Sequence, residues 1–142
     1  MTGDAVSARI LIAEDEVIIR MDLAEMLVAE GYDVIEQVGR GDLAVERTRE
    51  LAPDLCILDV KMPGLDGLAA ARIVVEEDLA AVVILTSFSQ RELIGEAVDV
   101  GVGAYVVKPF QASDLVPAIE VALAGRAQLQ ALAGRADEAD GG

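Results

Sequence analysis

The chain has 142 residues, of which 54% are hydrophobic and only 3% aromatic, which suits one compact domain with an aliphatic core. Lysines and arginines number 11 against 26 aspartates and glutamates, and the resulting charge of -15 excludes nucleic-acid binding by these residues. No apolar run approaches the roughly 20 residues that span a bilayer, and no secretory signal opens the chain, so we expect a cytoplasmic protein without membrane contact.

The counts of histidine and cysteine narrow the chemistry further. No histidine is present, so the chain can supply no imidazole base, no histidine-based metal site and no phosphohistidine of its own. The single cysteine, Cys56, lies within an apolar segment, where we expect a small buried side chain and where no disulfide can form. Carboxylates, hydroxyls and lysines must therefore carry any chemistry.

The first part of the chain predicts a strand, a helix and a second strand. Residues 1–8 are expected to be disordered, and residues 9–13 predict an apolar strand. A helix near residues 16–30 should follow and end at Gly31, because apolar residues recur there at helical spacing. Residues 33–38 alternate weakly, which favours a strand at a sheet edge. In the helix predicted near residues 16–30, the apolar residues at helical spacing are Val17, Met21, Ala24 and Val28.

The central strand is the most apolar segment. A helix before it should end near Ala52, because Pro53 follows. Residues 55–58 are apolar without interruption, which predicts a strand buried on both faces. This strand delivers Asp59 to its carboxyl end, where the turn 62–64 begins. An acid at the end of a buried strand indicates a functional role.

Three more helices and two more strands are predicted after this turn. Leu68, Ala71 and Val75 mark a third helix, before a strand at 82–86. A capping box at Ser89 predicts a fourth helix that ends at Gly101, and a strand at 104–107 follows. In the last helix, Ser113 is the predicted cap, and Pro117 is tolerated because it falls near the first turn. The residues of this helix expected to face the sheet are Leu115, Ile119 and Ala122.

The alternation of strands and helices predicts one α/β domain over residues 9–125, followed by a helical or disordered tail at 126–142. Right-handed crossovers and a weak second strand give a doubly wound parallel sheet in the order 2-1-3-4-5. Ligands bind beyond the carboxyl ends of such strands. The polar residues that follow four of these strands should therefore converge on one pocket: Glu14, Asp15, Asp59, Thr86 and Lys108.

In their order and spacing these residues resemble the receiver domains of two-component response regulators, and the likeness extends from about residue 9 to 125. It implies the (βα)5 flavodoxin-like fold. The features that carry it are the acidic pair Glu14–Asp15, Asp59 within DVKMPGLDG, Thr86, Tyr105 three residues before Lys108, and the triplet Lys108–Pro109–Phe110.

The resemblance implies a Mg²⁺-dependent phosphorylation site. Asp59 would accept a phosphoryl group from a sensor histidine kinase. Asp15 and Asp59 would bind Mg²⁺ directly, with the Lys61 carbonyl as a third ligand and Glu14 acting through water. The chain would then be a phosphoacceptor signalling domain rather than an enzyme, with self-catalysed phosphorylation and slow autodephosphorylation.

The resemblance also assigns a switch. Lys108 and Thr86 would contact the phosphoryl oxygens, and Tyr105 would turn inward as Thr86 moves. The surface of the fourth helix, last strand and last helix would change with them and bind a partner or form a homodimer. The residues expected to present the helical part of this surface are Arg91, Ile94 and Val98.

Three stretches, LIAEDEVIIRMDLAEML, LTSFSQR and AYVVKPF, are similar to the receivers of ANTAR-type RNA-binding antitermination regulators. That likeness implies control of transcription antitermination through an RNA-binding domain outside these 142 residues. A stand-alone regulator that acts by protein contact remains the alternative. A small aspartate-nucleophile phosphatase is less favoured, because such enzymes generally carry a second Asp where this chain has Lys61.

Overall fold

The structure, a computed structural model, describes residues 7–87 and 93–141 and contains a five-stranded parallel sheet. The strands lie in the order β2-β1-β3-β4-β5, which confirms the predicted α/β class and the doubly wound order. The weakly apolar β2 occupies an edge, as expected. The strands are β1 Arg9–Ala13, β2 Asp33–Val38, β3 Leu55–Asp59, β4 Ala81–Ser87 and β5 Ala104–Lys108.

Helices cover both faces of this sheet. Helices α1 and α5 share one hydrophobic cluster with the sheet, and α2, α3 and α4 share the other. Apolar side chains must therefore point both ways from the central strands, which explains their uninterrupted apolar sequences. The helices are α1 Val17–Ala29, α2 Gly41–Leu51, α3 Gly67–Glu76, α4 Leu93–Val100 and α5 Ala112–Gly141.

The central strand β3 is buried at every position, which confirms its prediction as the core strand. Cys56 lies on the face covered by α2, α3 and α4, and its Sγ is 3.2 Å from the Thr48 hydroxyl oxygen. Burial raises the pKa of the Cys56 thiol to about 11, so the thiolate does not form near neutral pH. The expected structural role of this cysteine is confirmed.

The apolar residues whose helical spacing predicted α1 lie mostly outside its buried side. Leu23 and Leu27 are completely buried, and of the four residues at that spacing only Ala24 is buried. The exposed fractions of the other three, Val17, Met21 and Val28, lie between 54% and 60%. Almost every turn of this helix carries apolar residues on several sides, so helical spacing alone does not identify the buried side.

The beginning of α5 also differs from its prediction. Ser113 is not the cap, because the helix already begins at Ala112. Instead, the Gln111 backbone N–H donates to Asp114 Oδ2 at 2.8 Å, the return bond of a capping box. Pro117 is the sixth residue of the helix and lies in its second turn. The sheet-facing residues of this helix were predicted correctly, since Leu115, Ile119 and Ala122 are all buried.

Glycine ends two of the helices. Gly31 and Gly101 have φ angles of 93° and 92°, in the left-handed region that glycine adopts without strain. These positions confirm the predicted ends of α1 and α4. The predicted start of α4 at Ser89 lies outside the described residues.

Helix α5 continues without interruption past the sheet to Gly141. Arg126 Nη2 donates to the Asp78 carbonyl oxygen at 3.0 Å, which ties α5 to the segment after α3. The boundary between domain and tail at residue 125 stays a prediction. In the two described ranges, no helix combines the length and the apolar composition needed to cross a membrane.

Candidate functional site

The register of the sheet places Glu14 and Asp59 beside each other. Ala13 of β1 pairs with Leu58 of β3, so the residue after each lies one step further at the same edge. Both strands run parallel, and this edge is the carboxyl end of the sheet. Two acids that are 45 residues apart in sequence, as their numbers show, therefore become neighbours.

Glu14 is completely buried, with 0% of its surface exposed, and each of its polar groups has a partner. Its backbone N–H donates to the Val38 carbonyl oxygen at 3.0 Å. Its Oε2 accepts from the Glu16 backbone N–H at 3.1 Å, and its Oε1 accepts from Lys108 Nζ at 2.7 Å. A buried carboxylate with this many bonds has a fixed orientation.

Lys108 bridges the two buried carboxylates. Its Nζ lies 2.7 Å from Glu14 Oε1 and 3.0 Å from Asp59 Oδ1, and its side chain is only 19% exposed. The lysine reaches this position because β5 ends beside β4 at the same edge of the sheet, with Lys108 paired to Ser87. One ammonium group thus compensates two buried negative charges.

The electrostatics of this trio follow from burial and from the shared ammonium. Burial raises the pKa of Glu14 and of Asp59 above their ordinary values, and the bonds to Lys108 offset part of that rise. Burial alone lowers the pKa of Lys108, but its bonds to Glu14 and Asp59 outweigh this effect, and the net shift is upward. The two carboxylates are therefore the groups of this trio that respond to mild acid.

Asp15 completes an oxygen cluster that suits a hard cation. One carboxylate oxygen from each of Glu14, Asp15 and Asp59 lies within 4.8 Å of the others, and Asp15 is the exposed member. Mg²⁺ prefers oxygen ligands and keeps several waters, so a cluster that is open on one side fits its chemistry. The structure thus brings together the three acids that the sequence predicted as metal ligands.

Lys61, the fourth predicted ligand, follows β3 in the turn beside these acids. It lines an open cavity of about 540 Å³ together with Asp15. Its side chain is exposed, in keeping with a predicted role for its backbone carbonyl rather than its ammonium group.

The turn after β3 packs against the backbone of Asp59. A Cβ at position 67 would lie 2.0 Å from the Asp59 carbonyl oxygen, so only glycine fits there. Asp66 Oδ1 accepts from the Ala69 backbone N–H at 2.8 Å and caps α3. Asp66 therefore shapes the turn and the start of α3.

Thr86 and Tyr105, the predicted switch residues, lie on neighbouring strands but differ in exposure. Thr86 is 3% exposed near the end of β4, one residue beyond the partner of Asp59. Tyr105 is 43% exposed and belongs to the edge strand β5. On the predicted surface of α4, Val98 is 68% exposed. Arg91 and the side chain of Ile94 lie outside the described part of the chain.

Arg20 also belongs to this site, although the sequence analysis did not single it out. Its Nη1 donates to the Glu14 backbone carbonyl oxygen at 2.7 Å. The available signal was its position: one arginine among apolar residues in the first turns of α1, directly after the acidic run.

Comparison with known proteins gives one family. The model of the response regulator receiver domain matches residues 10–120. The transcriptional regulatory protein PdtaR of Mycobacterium tuberculosis is 52% identical over 130 residues, which make up 92% of this chain and 63% of that protein. The chain therefore spans less than two thirds of that relative. The chemotaxis protein CheY of Bacillus subtilis is 35% identical over 116 residues, 81% of this chain and 97% of CheY.

Solved structures agree with the sequence comparison. The signal receiver domain of a modulated diguanylate cyclase from Desulfovibrio desulfuricans G20 superposes with a TM-score of 0.80 at 27% identity. The similarity covers 87% of this chain and 98% of that one. The two chains thus share their overall fold over most of their lengths.

Proposed function

Because the chain belongs to the response regulator receiver domain family, we propose that it accepts a phosphoryl group on Asp59 and changes its partner-binding surface in response. One observation carries the proposal: the Asp59 carboxylate lies at the carboxyl end of the central strand, within an oxygen cluster and 3.0 Å from the Lys108 ammonium. A structural acid would not need both a lysine and two further acids around it.

The reaction follows from this geometry. An oxygen of Asp59 attacks phosphorus in line, an oxygen–phosphorus bond forms, and the bond from phosphorus to the nitrogen of a kinase phosphohistidine breaks. The proton that neutralises the departing imidazole comes from the kinase or from water. Asp59 needs no general base when its carboxylate is ionised, and the bond to Lys108 offsets part of the rise in pKa that burial causes.

Mg²⁺ is the cofactor that this donor set fits, held by Asp15, Asp59 and the Lys61 carbonyl, with Glu14 acting through water. It would supply charge neutralisation for the phosphoryl oxygens. The chain's own groups complete the site: Lys108 exchanges part of its bonding with the carboxylates for a bond to a phosphoryl oxygen, and the Thr86 hydroxyl donates another.

The switch is proposed to run from Thr86 to Tyr105. Movement of Thr86 toward the phosphoryl group would leave space behind it, and the outward-facing Tyr105 ring would fill that space. The face formed by α4, β5 and α5 would change shape, and a partner or a second copy of the chain would bind it more tightly. The exposure of Tyr105 and Val98 supports this part of the proposal.

The output is proposed from the relatives. PdtaR is named as a transcriptional regulatory protein, and the ANTAR-type likeness of this chain suggests control of antitermination through an RNA-binding domain outside these residues. With a net charge of -15, the residues here would not bind RNA themselves. Regulation by protein contact alone is the second candidate. The similarity to CheY favours it, because the match covers 97% of the length of CheY.

Acetyl phosphate with Mg²⁺ provides the test, with intact mass as the measurement. We expect one stable phosphoryl adduct per chain. No adduct should form when EDTA is added before acetyl phosphate. Rapid release of phosphate without an adduct would indicate a phosphatase, and no reaction would indicate a receiver that binds partners without phosphorylation. Transfer from the phosphohistidine of a sensor kinase then tests the partner.

A further inference from the structure

We propose that Arg20 is a positioning residue for the metal site: its guanidinium fixes the turn between β1 and α1 and so aims the Asp15 carboxylate at the cation. The inference rests on the proposed function, because it assumes that Asp15 binds the metal. It adds a residue that contacts neither the metal nor the phosphoryl group.

The guanidinium bonds to the backbone of the turn. Arg20 Nη1 donates to the Glu14 carbonyl oxygen at 2.7 Å, and the Arg20 backbone N–H donates to the Glu16 carbonyl oxygen at 2.9 Å. A charged donor and a partly buried acceptor make this a strong hydrogen bond. Arg20 therefore closes a loop from the first turn of α1 back to the end of β1.

This bond determines the direction of the chain at Asp15. The carbonyl group of Glu14 and the N–H group of Asp15 belong to one planar peptide unit, so holding that oxygen also orients the bond that leads to the Asp15 Cα. The Asp15 side chain is exposed, and within the described ranges it makes no hydrogen bond or ion pair of its own. Its orientation must come from the backbone.

The loop after β2 is built to admit the guanidinium. A Cβ at Gly39 would lie 3.0 Å from Arg20 Nη1, 3.7 Å from the Asp15 Cα and 3.8 Å from the Glu14 carbonyl oxygen. A side chain at this position would press on the guanidinium, whereas its distances to the turn are those of ordinary van der Waals contacts. Glycine thus leaves the space that the arginine occupies, which is independent evidence for a built contact.

Positioning and simple electrostatics predict opposite results. A cation near a metal site repels the metal, so loss of the Arg20 charge alone would tighten Mg²⁺ binding. Loss of the bond to Glu14 would free the peptide unit before Asp15 and weaken Mg²⁺ binding. The sign of the change distinguishes the two roles.

The experiment compares Mg²⁺ affinity by isothermal titration calorimetry in the full chain of 142 residues. Arg20→Gln should weaken binding about tenfold, the loss typical of groups that support a metal ligand. Arg20→Lys keeps the charge but not the planar fork, and should fall between wild type and Arg20→Gln. Arg49→Gln, which removes an equal charge from an exposed pair with Glu77, is the matched control and should change affinity less than about twofold. Unchanged or tighter binding by Arg20→Gln would overturn the proposal.

Gly39→Ala tests the same contact from the other side. It should weaken Mg²⁺ binding in the wild type but add little in the Arg20→Gln background, because both changes disrupt one interaction. Fully additive effects would contradict a shared contact. Since Gly39→Ala leaves the arginine in place, it also provides the test if Arg20→Gln does not fold.

Amide hydrogen exchange in EDTA gives a readout that needs no metal. The Glu16 backbone N–H, which donates to Glu14 Oε2, should exchange faster in Arg20→Gln than in Arg49→Gln. Equal rates in the two variants would contradict the proposed role. If wild type neither binds Mg²⁺ nor forms the adduct, the proposed function itself fails; if wild type does both and Arg20→Gln matches it, only this inference fails.

Discussion

Two regions of the molecule differ in how firmly their side chains are held. The acid region, formed by Glu14, Asp59 and Lys108, is buried, and its ion pairs measure 2.7 and 3.0 Å. The region proposed to respond to phosphorylation includes Val98, which is 68% exposed, and Tyr105, which is 43% exposed. Side chains of the first region lose several bonds if they move, whereas those of the second lose little packing.

The difference fits the proposed division between phosphoryl transfer and response. Phosphoryl transfer depends on groups held in place before the substrate arrives, because reorganising them would add to the barrier. A response depends on side chains that have two positions of similar free energy, because phosphorylation supplies only a few kcal/mol. The predictions below disrupt one region and ask whether the other changes.

Asp59→Asn should have the largest effect: complete loss of the phosphoryl adduct in the presence of acetyl phosphate and Mg²⁺, because the amide cannot attack phosphorus. The fold should remain, since Asn keeps the shape of the side chain and removes one buried charge. Intact mass and circular dichroism measure the two outcomes. Asp99→Asn, an exposed aspartate on α4, is the control and should form the adduct normally. An equally abundant adduct on Asp59→Asn would place the acceptor elsewhere.

Lys108→Met should lower the free energy of unfolding of the metal-free protein by about 3 kcal/mol at pH 8, because two buried carboxylates lose their shared cation. The loss should shrink at pH 5, where the carboxylates can bind protons. Urea denaturation in EDTA measures both values. Arg49→Gln breaks an exposed ion pair and should cost less than about 1 kcal/mol. A similar small cost for Lys108→Met would mean that the carboxylates find other partners.

The raised pKa of Glu14 predicts the pH dependence of the metal-free protein. Between its ordinary value of 4.5 and its higher value in the fold, the folded state binds more protons than the unfolded state. The free energy of unfolding therefore falls as pH rises through this window, by at most about 1.4 kcal/mol per pH unit for one proton. The general charge of -15 acts in the same direction. Urea denaturation of Glu14→Gln should consequently show a flatter profile than wild type, and an identical profile would refute the assignment to Glu14.

Tyr105→Phe should have the smallest effect on stability, less than about 0.5 kcal/mol, because the side chain is half exposed. The adduct yield should match wild type, since the acid region is untouched. Light scattering with and without beryllofluoride tests the response. Beryllofluoride should tighten the self-association of the wild type, and the size of this increase should differ in Tyr105→Phe. A loss of adduct yield in Tyr105→Phe would show that the two regions are not separable.

The sequence predicted the convergence of the acids, because it follows from strong local signals: buried apolar runs and the polar residues directly after them. The strand order came from the general rule for doubly wound parallel sheets. Helical spacing did not identify the buried side of α1, because Val17 and Met21 are as apolar as Leu23 and Leu27, and only the packing of α1 on the sheet distinguishes them. Tertiary contacts determine such a helix, not its own periodicity.

The predicted site lacked Arg20 for a related reason. Its partner is a backbone carbonyl, and a backbone group leaves no mark in the side-chain pattern. The sharing of Lys108 between Glu14 and Asp59 was also outside sequence reasoning, because it depends on the register between distant strands. Residue types at strand ends predict which groups meet, whereas bonding partners require the assembled sheet.

The continuous α5 has a mechanical consequence. At 1.5 Å per residue, the part of the helix beyond Gly125 is roughly 24 Å long, about the width of a small domain. Arg126 is tied to Asp78 at the start of this part, so a tilt of α5 would turn the remaining helix about that contact. A tilt of only about 10° would displace the far end by about 4 Å, roughly three-quarters of a helical turn. A small change at the proposed phosphorylation site would thus be amplified along the helix.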